Sequence, residues 1–90
     1  MVGNLAVSLA GHDKNQIYII VRENNEYVYL SDGRLKPFSE PKRKNKRHIQ
    51  LIKKGVDSEL AHKLINGESV RDEEIRRTIK LYEQKLGKQI

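Results

Sequence analysis

The chain has 90 residues, 37% of them hydrophobic and 33% charged, with 18 Lys and Arg against 12 Asp and Glu for a net charge of +6. This supports one small core but not a deep catalytic cleft, and the absence of cysteine excludes disulfides and cysteine-ligated zinc and agrees with a reducing compartment. No apolar run approaches the roughly 20 residues of a membrane span, and Met1 to Val7 lacks the features of a secretory signal, so a cytoplasmic protein without a membrane partner is expected.

Leu5 to Leu9 opens the chain as a brief apolar strand, followed by the polar loop Ala10 to Asn15. Gln16 to Arg22 contains Ile17, Ile19, Ile20 and Val21, a β-branched run suited to a pleated surface. Asn24-Asn25 forms a turn, and Tyr27-Val28-Tyr29-Leu30 alternates as a half-buried strand does. Ser31-Asp32-Gly33 turns again, with glycine free to take positive φ. Arg34 to Phe38 reads as a fourth short strand and His48 to Ile52 as the last. Five short strands joined by tight turns predict a small closed β-barrel over residues 1–54.

The hydrophobic period changes after Gly55. Val56, Leu60, Ala61, Leu64 and Ile65 share one face of a helix that Asp57 or Ser58 can cap and that Asn66-Gly67 stops. Ser69-Val70-Arg71-Asp72 resembles a capping box opening a second helix, with Asp72, Glu73 and Glu74 in its first turn, where the dipole favours anions. Ile75, Ile79, Tyr82 and Leu86 form its stripe, and Gly87 is expected to end it. Residues 55–90 are therefore a helical hairpin that must pack on the barrel or on a partner. The expected class is α+β.

Charge is concentrated in the middle. Residues 1–33 carry a net −2, residues 34–54 a net +8 and residues 55–90 none. The centre of this patch is Pro41-Lys42-Arg43-Lys44-Asn45-Lys46-Arg47-His48, in which five of the six residues from Lys42 to Arg47 are cationic. An unpaired buried ammonium costs many kcal/mol, so the run is expected to stay out of the core, either as a solvated loop or as a loop contacting phosphates. Tyr18, Tyr27 and Tyr29 face outward if Ile17, Ile19, Val21, Val28 and Leu30 face inward. There they could stack on unpaired bases; otherwise they pack beneath the helices.

Other chemistries find little support. His12, His48 and His62 lack the spacing of a metal site, no nucleophile elbow accompanies Ser8, His12 and Asp13, and no Gly-rich phosphate loop precedes a helix. No enzyme, metal or cofactor is expected.

The stretch Gly3 to Val21, centred on Gly11-His12-Asp13-Lys14, looks like a KOW motif. With Asp32-Gly33 and the run from Pro41 to Gln50, it resembles the small bacterial KOW-domain RNA-binding proteins, a group similar to KOW-type large-subunit ribosomal proteins of archaea and eukaryotes. The resemblance covers about residues 3–52. It implies an SH3-like β-barrel and RNA binding through the KOW loop, here Gly11, His12, Asp13 and Lys14, and through Lys42 to Arg47. One departure is Asn15, where the motif usually has glycine; asparagine tolerates positive φ at modest cost. KOW domains of transcription factors contact proteins instead, so the fold does not settle the partner. The expected function is binding of structured RNA, ribosomal RNA in particular, by a non-catalytic monomer of the translation apparatus, with ribosomal proteins as further partners. The candidate RNA-binding residues are Gly11, His12, Asp13, Lys14, Asn15, Lys36, Lys42, Arg43, Lys44, Lys46, Arg47 and His48. The alternative is a module that docks on acidic surfaces of the transcription or translation machinery.

Overall fold

The computed structural model describes residues 1–88, with the side chains of residues 1–86. The chain is α+β: five antiparallel strands and two helices. The strands are β1 (Leu5–Ser8), β2 (Ile17–Glu23), β3 (Tyr27–Ser31), β4 (Lys42–Asn45) and β5 (Ile49–Ile52), and the helices are α1 (Ser58–Ile65) and α2 (Asp72–Lys88). The strands form one sheet in the order β4-β3-β2-β1-β5. A 3₁₀ turn, Lys46–His48, joins β4 to β5.

The fourth strand is not where the sequence suggested. Residues 34–38 form a turn because the Asp32 carboxylate accepts the backbone N–H groups of Arg34 (2.9 Å) and Lys36 (3.0 Å), while the Ser31 hydroxyl donates to the Lys36 carbonyl (2.7 Å). These local bonds compete with strand pairing for the same backbone groups. The basic run instead supplies β4, paired with β3 from Leu30↔Lys42 to Tyr27↔Asn45.

The sheet is open, not the expected closed barrel: β4 and β5 are its two edges and do not pair. It is nevertheless strongly curled. In a flat sheet β4 and β1 would stand three strand spacings apart, about 14 Å, yet the Lys44 Nζ on β4 lies 2.6 Å from the Ser8 Oγ on β1. A bulge between Ile20 and Arg22 in β2 adds local bend and twist.

Curling buries both faces of the central strand. Ala6, Tyr18, Ile20, Val28, Leu30 and Ile49 form one cluster on the concave side without helical residues. Leu5, Ile19 and Val21 form a second on the convex side with Leu60, Leu64, Val70, Ile75 and Ile79. Tyr18 is thus buried, contrary to the outward placement expected for it. Strict alternation does send it away from Ile17 and Ile19, but that side is covered too.

The helices lie on the convex face through Leu60, Leu64, Ile75 and Ile79, and each is started by a cap. The Asp57 carboxylate accepts the Leu60 N–H (3.1 Å) at the start of α1. At α2, Glu74 reaches back to the Arg71 N–H (3.0 Å), the glutamate half of a capping box. The expected box ending at Asp72 is absent, because Asp72 accepts the Phe38 N–H (2.8 Å) and ties the 32–41 loop to the helix. Gly33, at φ +73°, presses against this first turn: a Cβ there would lie 2.5 Å from the Asp72 carbonyl oxygen. Helix α2 runs through Gly87 to Lys88, since one glycine costs a helix only about 1 kcal/mol. Its stripe is buried at Ile75 and Ile79, but Leu86 is 43% exposed.

Because Ile75 is fully buried in the cluster shared by sheet and helices, Ile75→Ala should cost about 2–5 kcal/mol in urea unfolding. A fragment ending at Lys54 should not fold alone, since Leu5, Ile19 and Val21 would lose their cover. A soluble 1–54 fragment of undiminished stability would contradict this packing.

Candidate functional site

Strand β4 alternates, and the alternation sorts its cations. Lys42 and Lys44 point to the concave side, where Lys44 is only 9% exposed. Its ammonium donates to Asp13 Oδ1 (2.5 Å), Ser8 Oγ (2.6 Å) and the Ala10 carbonyl (2.8 Å), which uses all three N–H donors. Lys42 donates to Asp13 Oδ2 (2.9 Å), which also accepts the Tyr18 hydroxyl (2.9 Å). The Ser8 hydroxyl completes the set on Oδ1 at 2.9 Å. The expectation that the basic run stays out of the core is therefore corrected at Lys44: it is buried, but paired and fully hydrogen-bonded, so the penalty for an unpaired charge does not apply.

Burial by itself would raise the Asp13 carboxyl. The hydrogen bonds from Lys44, Lys42, Tyr18 and Ser8 outweigh it and hold the group well below the usual carboxylate range. Burial, followed by the bond to Asp13, pushes the Tyr18 phenol above its ordinary value, which keeps it protonated as a donor.

This cluster fixes the loop between β1 and β2. Its turn closes with Lys14 N–H on the Gly11 carbonyl (3.2 Å), Gln16 N–H on the Asp13 carbonyl (2.9 Å) and Asn15 N–H on the Ser8 carbonyl (2.8 Å). Asn15 takes φ 75°, a left-handed value that asparagine reaches at modest cost. The Leu9 N–H bonds the His48 carbonyl (2.8 Å), so the same loop also meets the turn after β4.

Gly11, His12, Asp13 and Lys14 are thus brought together with Lys42, Lys44 and His48. Within the set, Asp13 and Lys44 face each other rather than solvent, whereas Gly11, His12, Lys14, Asn15, Arg47 and His48 are exposed. Lys46 pairs with Glu23 (3.1 Å). Lys36 stands apart, in the turn after β3.

The opposite face of β3 and β4 carries the aromatic chemistry. The Arg43 guanidinium lies over the Tyr27 ring, 4.6 Å from its centroid, and Arg22 over the Tyr29 ring at 5.0 Å. Each such stack contributes about 0.5–1 kcal/mol at an exposed site and presents a flat cation to solvent. Tyr27 and Tyr29 face outward here as the alternation predicts, though Tyr29 also packs against the convex cluster. Arg22 was missed in the sequence because only the bulge beside it sets it opposite Tyr29; an unbroken register would pair Tyr29 with Val21. Among the described residues no three His, Asp or Glu side chains gather as metal ligands, and no helix is long and apolar enough to cross a membrane. No protein-family model matches the sequence, and no curated protein matches it significantly.

Removing the carboxylate should be costly, because it strands the Lys44 ammonium: Asp13→Asn should lose about 3–5 kcal/mol. The folded carboxyl titrates below the unfolded one, so the unfolded chain takes up the proton first. The stabilisation is complete above about pH 4 and is lost as pH falls from there through the folded value. The wild-type melting temperature should fall more steeply below pH 4 than that of Asp13→Asn. Parallel profiles would place the carboxylate outside the fold's support.

Proposed function

We propose that this chain is a non-catalytic RNA-binding module of the translation apparatus that recognises structured RNA, ribosomal RNA in particular. The observation that carries this reading is the division of cations along β4. Lys42 and Lys44 are committed to Asp13, while Arg43 lies over Tyr27 on the outer face and Arg47 is exposed in the following turn. Exposed arginines beside aromatic rings suit RNA, because the guanidinium forks onto phosphate oxygens and its plane stacks with an unpaired base. Lys14 and His12, on the loop held by Asp13, add positive charge or hydrogen-bond donors next to β4.

The resemblance of residues 3–52 to the small bacterial KOW-domain RNA-binding proteins supports the same reading. In that light the curled sheet is an open form of the SH3-like barrel, with the 3₁₀ turn between β4 and β5 standing where a closed barrel would have its last strand junction. The KOW loop then acts in two ways. Asp13 shapes the surface from inside, and Lys14 and its exposed neighbours meet the ligand.

The test replaces only the solvent-facing cations. Lys14→Gln, Arg43→Gln and Arg47→Gln together should leave the melting temperature nearly unchanged and lower the log–log salt slope for a labelled ribosomal RNA hairpin by about 2 to 3, at 0.7–0.9 per phosphate contact. An unchanged slope would refute the interface. In cell extracts, co-sedimentation with ribosomes should be lost on nuclease treatment; association that survives nuclease would favour docking on an acidic protein surface instead.

A further inference from the structure

A second cationic surface lies away from the β4 face. Helix α2, the sheet end near Gln16 and the turn after β3 enclose a groove of about 520 Å³ lined by Arg34, Arg76, Arg77 and Lys80 against Asp32 and Glu83. Among the described residues none of these four cations forms an ion pair. Of the two acids, Asp32 already spends one carboxylate oxygen on the backbone N–H groups of Arg34 and Lys36. The groove therefore holds an uncompensated positive charge.

Its shape is fixed. Arg76 donates to the Gly33 carbonyl (2.6 Å), and the close approach of Gly33 to the Asp72 carbonyl leaves no room for a side chain at that position. The wall carrying Arg34 is thereby locked to the helix that carries Arg77 and Lys80. Arg76 and Lys80 are one helical turn apart, about 6 Å along the axis, so the cations form a row rather than a point. A row of like charges in a concave, partly apolar setting focuses potential on an extended polyanion more than on a single small anion. Gln16, at the groove, directly follows Asn15 of the loop between β1 and β2, so one end of the groove borders the KOW-like loop.

We infer that the groove between α2 and the turn after β3 is a second phosphodiester-binding track, along which the RNA backbone continues from the loop onto the helical segment. This inference rests on the RNA-binding function proposed above. It gives residues 72–83 a share in the ligand as well as in the core, with Arg34, Arg77 and Lys80 as the contacting cations and Arg76 as the positioning residue for the wall.

The test compares salt titrations of a labelled RNA hairpin for the full chain and two triple variants. Arg34→Gln with Arg77→Gln and Lys80→Gln changes only exposed side chains and should leave the melting temperature in place. It should lower the log–log salt slope by about 2 to 3, at 0.7–0.9 per lost contact. The charge-keeping variant Arg34→Lys, Arg77→Lys, Lys80→Arg should retain the wild-type slope. Wild-type binding with an unchanged slope in the Gln variant would overturn the groove and leave the β4 interface standing. Loss of slope in the charge-keeping variant would also overturn the phosphate track, since shape rather than charge would then decide. A wild-type chain that ignores the hairpin but binds polyglutamate would overturn both the groove and the RNA-binding function.

Discussion

The fold depends on one carboxylate. Asp13 sits in the loop between β1 and β2 and holds Lys44 and Lys42 from β4, the far edge of the sheet. No flat sheet permits that contact, so the ion pair and the curl of the sheet require each other. The concave cluster of Ala6, Tyr18, Ile20, Val28, Leu30 and Ile49 supplies the driving force for curling, through apolar area removed from water. The pair supplies the specificity. Buried charges rarely add net stability over a well-packed apolar substitute, but they tolerate only one arrangement of donors, and here that arrangement fixes which loop meets which strand.

The same interaction divides a run of cations by role. Without an acid on the concave side, alternate lysines of β4 could not be buried, and the segment would remain a solvated loop with all its charges equivalent. With Asp13 in place, strand geometry turns Lys42 and Lys44 inward and Arg43 outward. Formal charge therefore overstates what a ligand would meet: part of the central positive charge is neutralised inside, and Lys46 is offset by Glu23. What remains outside is arginine-rich and adjacent to tyrosine, which suits the proposed recognition of RNA better than a dense lysine patch would. Helix α2 contributes further positive charge from a segment that the sequence shows as electrically balanced, because three of its four acids cluster in the first turn and Arg76, Arg77 and Lys80 follow them.

Much of this was legible in the sequence. The α+β class, four of the five strands and the first helix with its Asn66-Gly67 stop follow from local chemistry that the tertiary structure leaves intact, and of the two candidate caps, Asp57 and Ser58, the structure selects Asp57. The failures are tertiary. Residues 34–38 have strand-like composition, but Asp32 and Ser31 capture their backbone groups. Lys42 to Asn45 has loop-like composition, yet becomes a strand because a distant acid accepts its inward lysines. Tyr18 obeys alternation but finds its side of the sheet covered. A period of two between Lys42 and Lys44, with a single acid in a polar loop upstream, was the available signal for the pair. Nothing in the sequence distinguished it from a solvated charge run, since the partners are about 30 residues apart.

The most direct measurement is a carboxyl ¹³C NMR titration of Asp13 in the full chain, alone and with a labelled RNA hairpin. The account predicts that Asp13 stays ionised well below the ordinary carboxylate range in both states, because Lys44 remains on it while Arg43, Arg47 and Lys14 meet the RNA. An Asp13 that titrates near 4, the ordinary carboxylate value, in the free protein would contradict the buried pair. A return toward that value only on adding RNA would show Lys44 leaving for phosphate, and would contradict the division of cations on which the proposed interface rests.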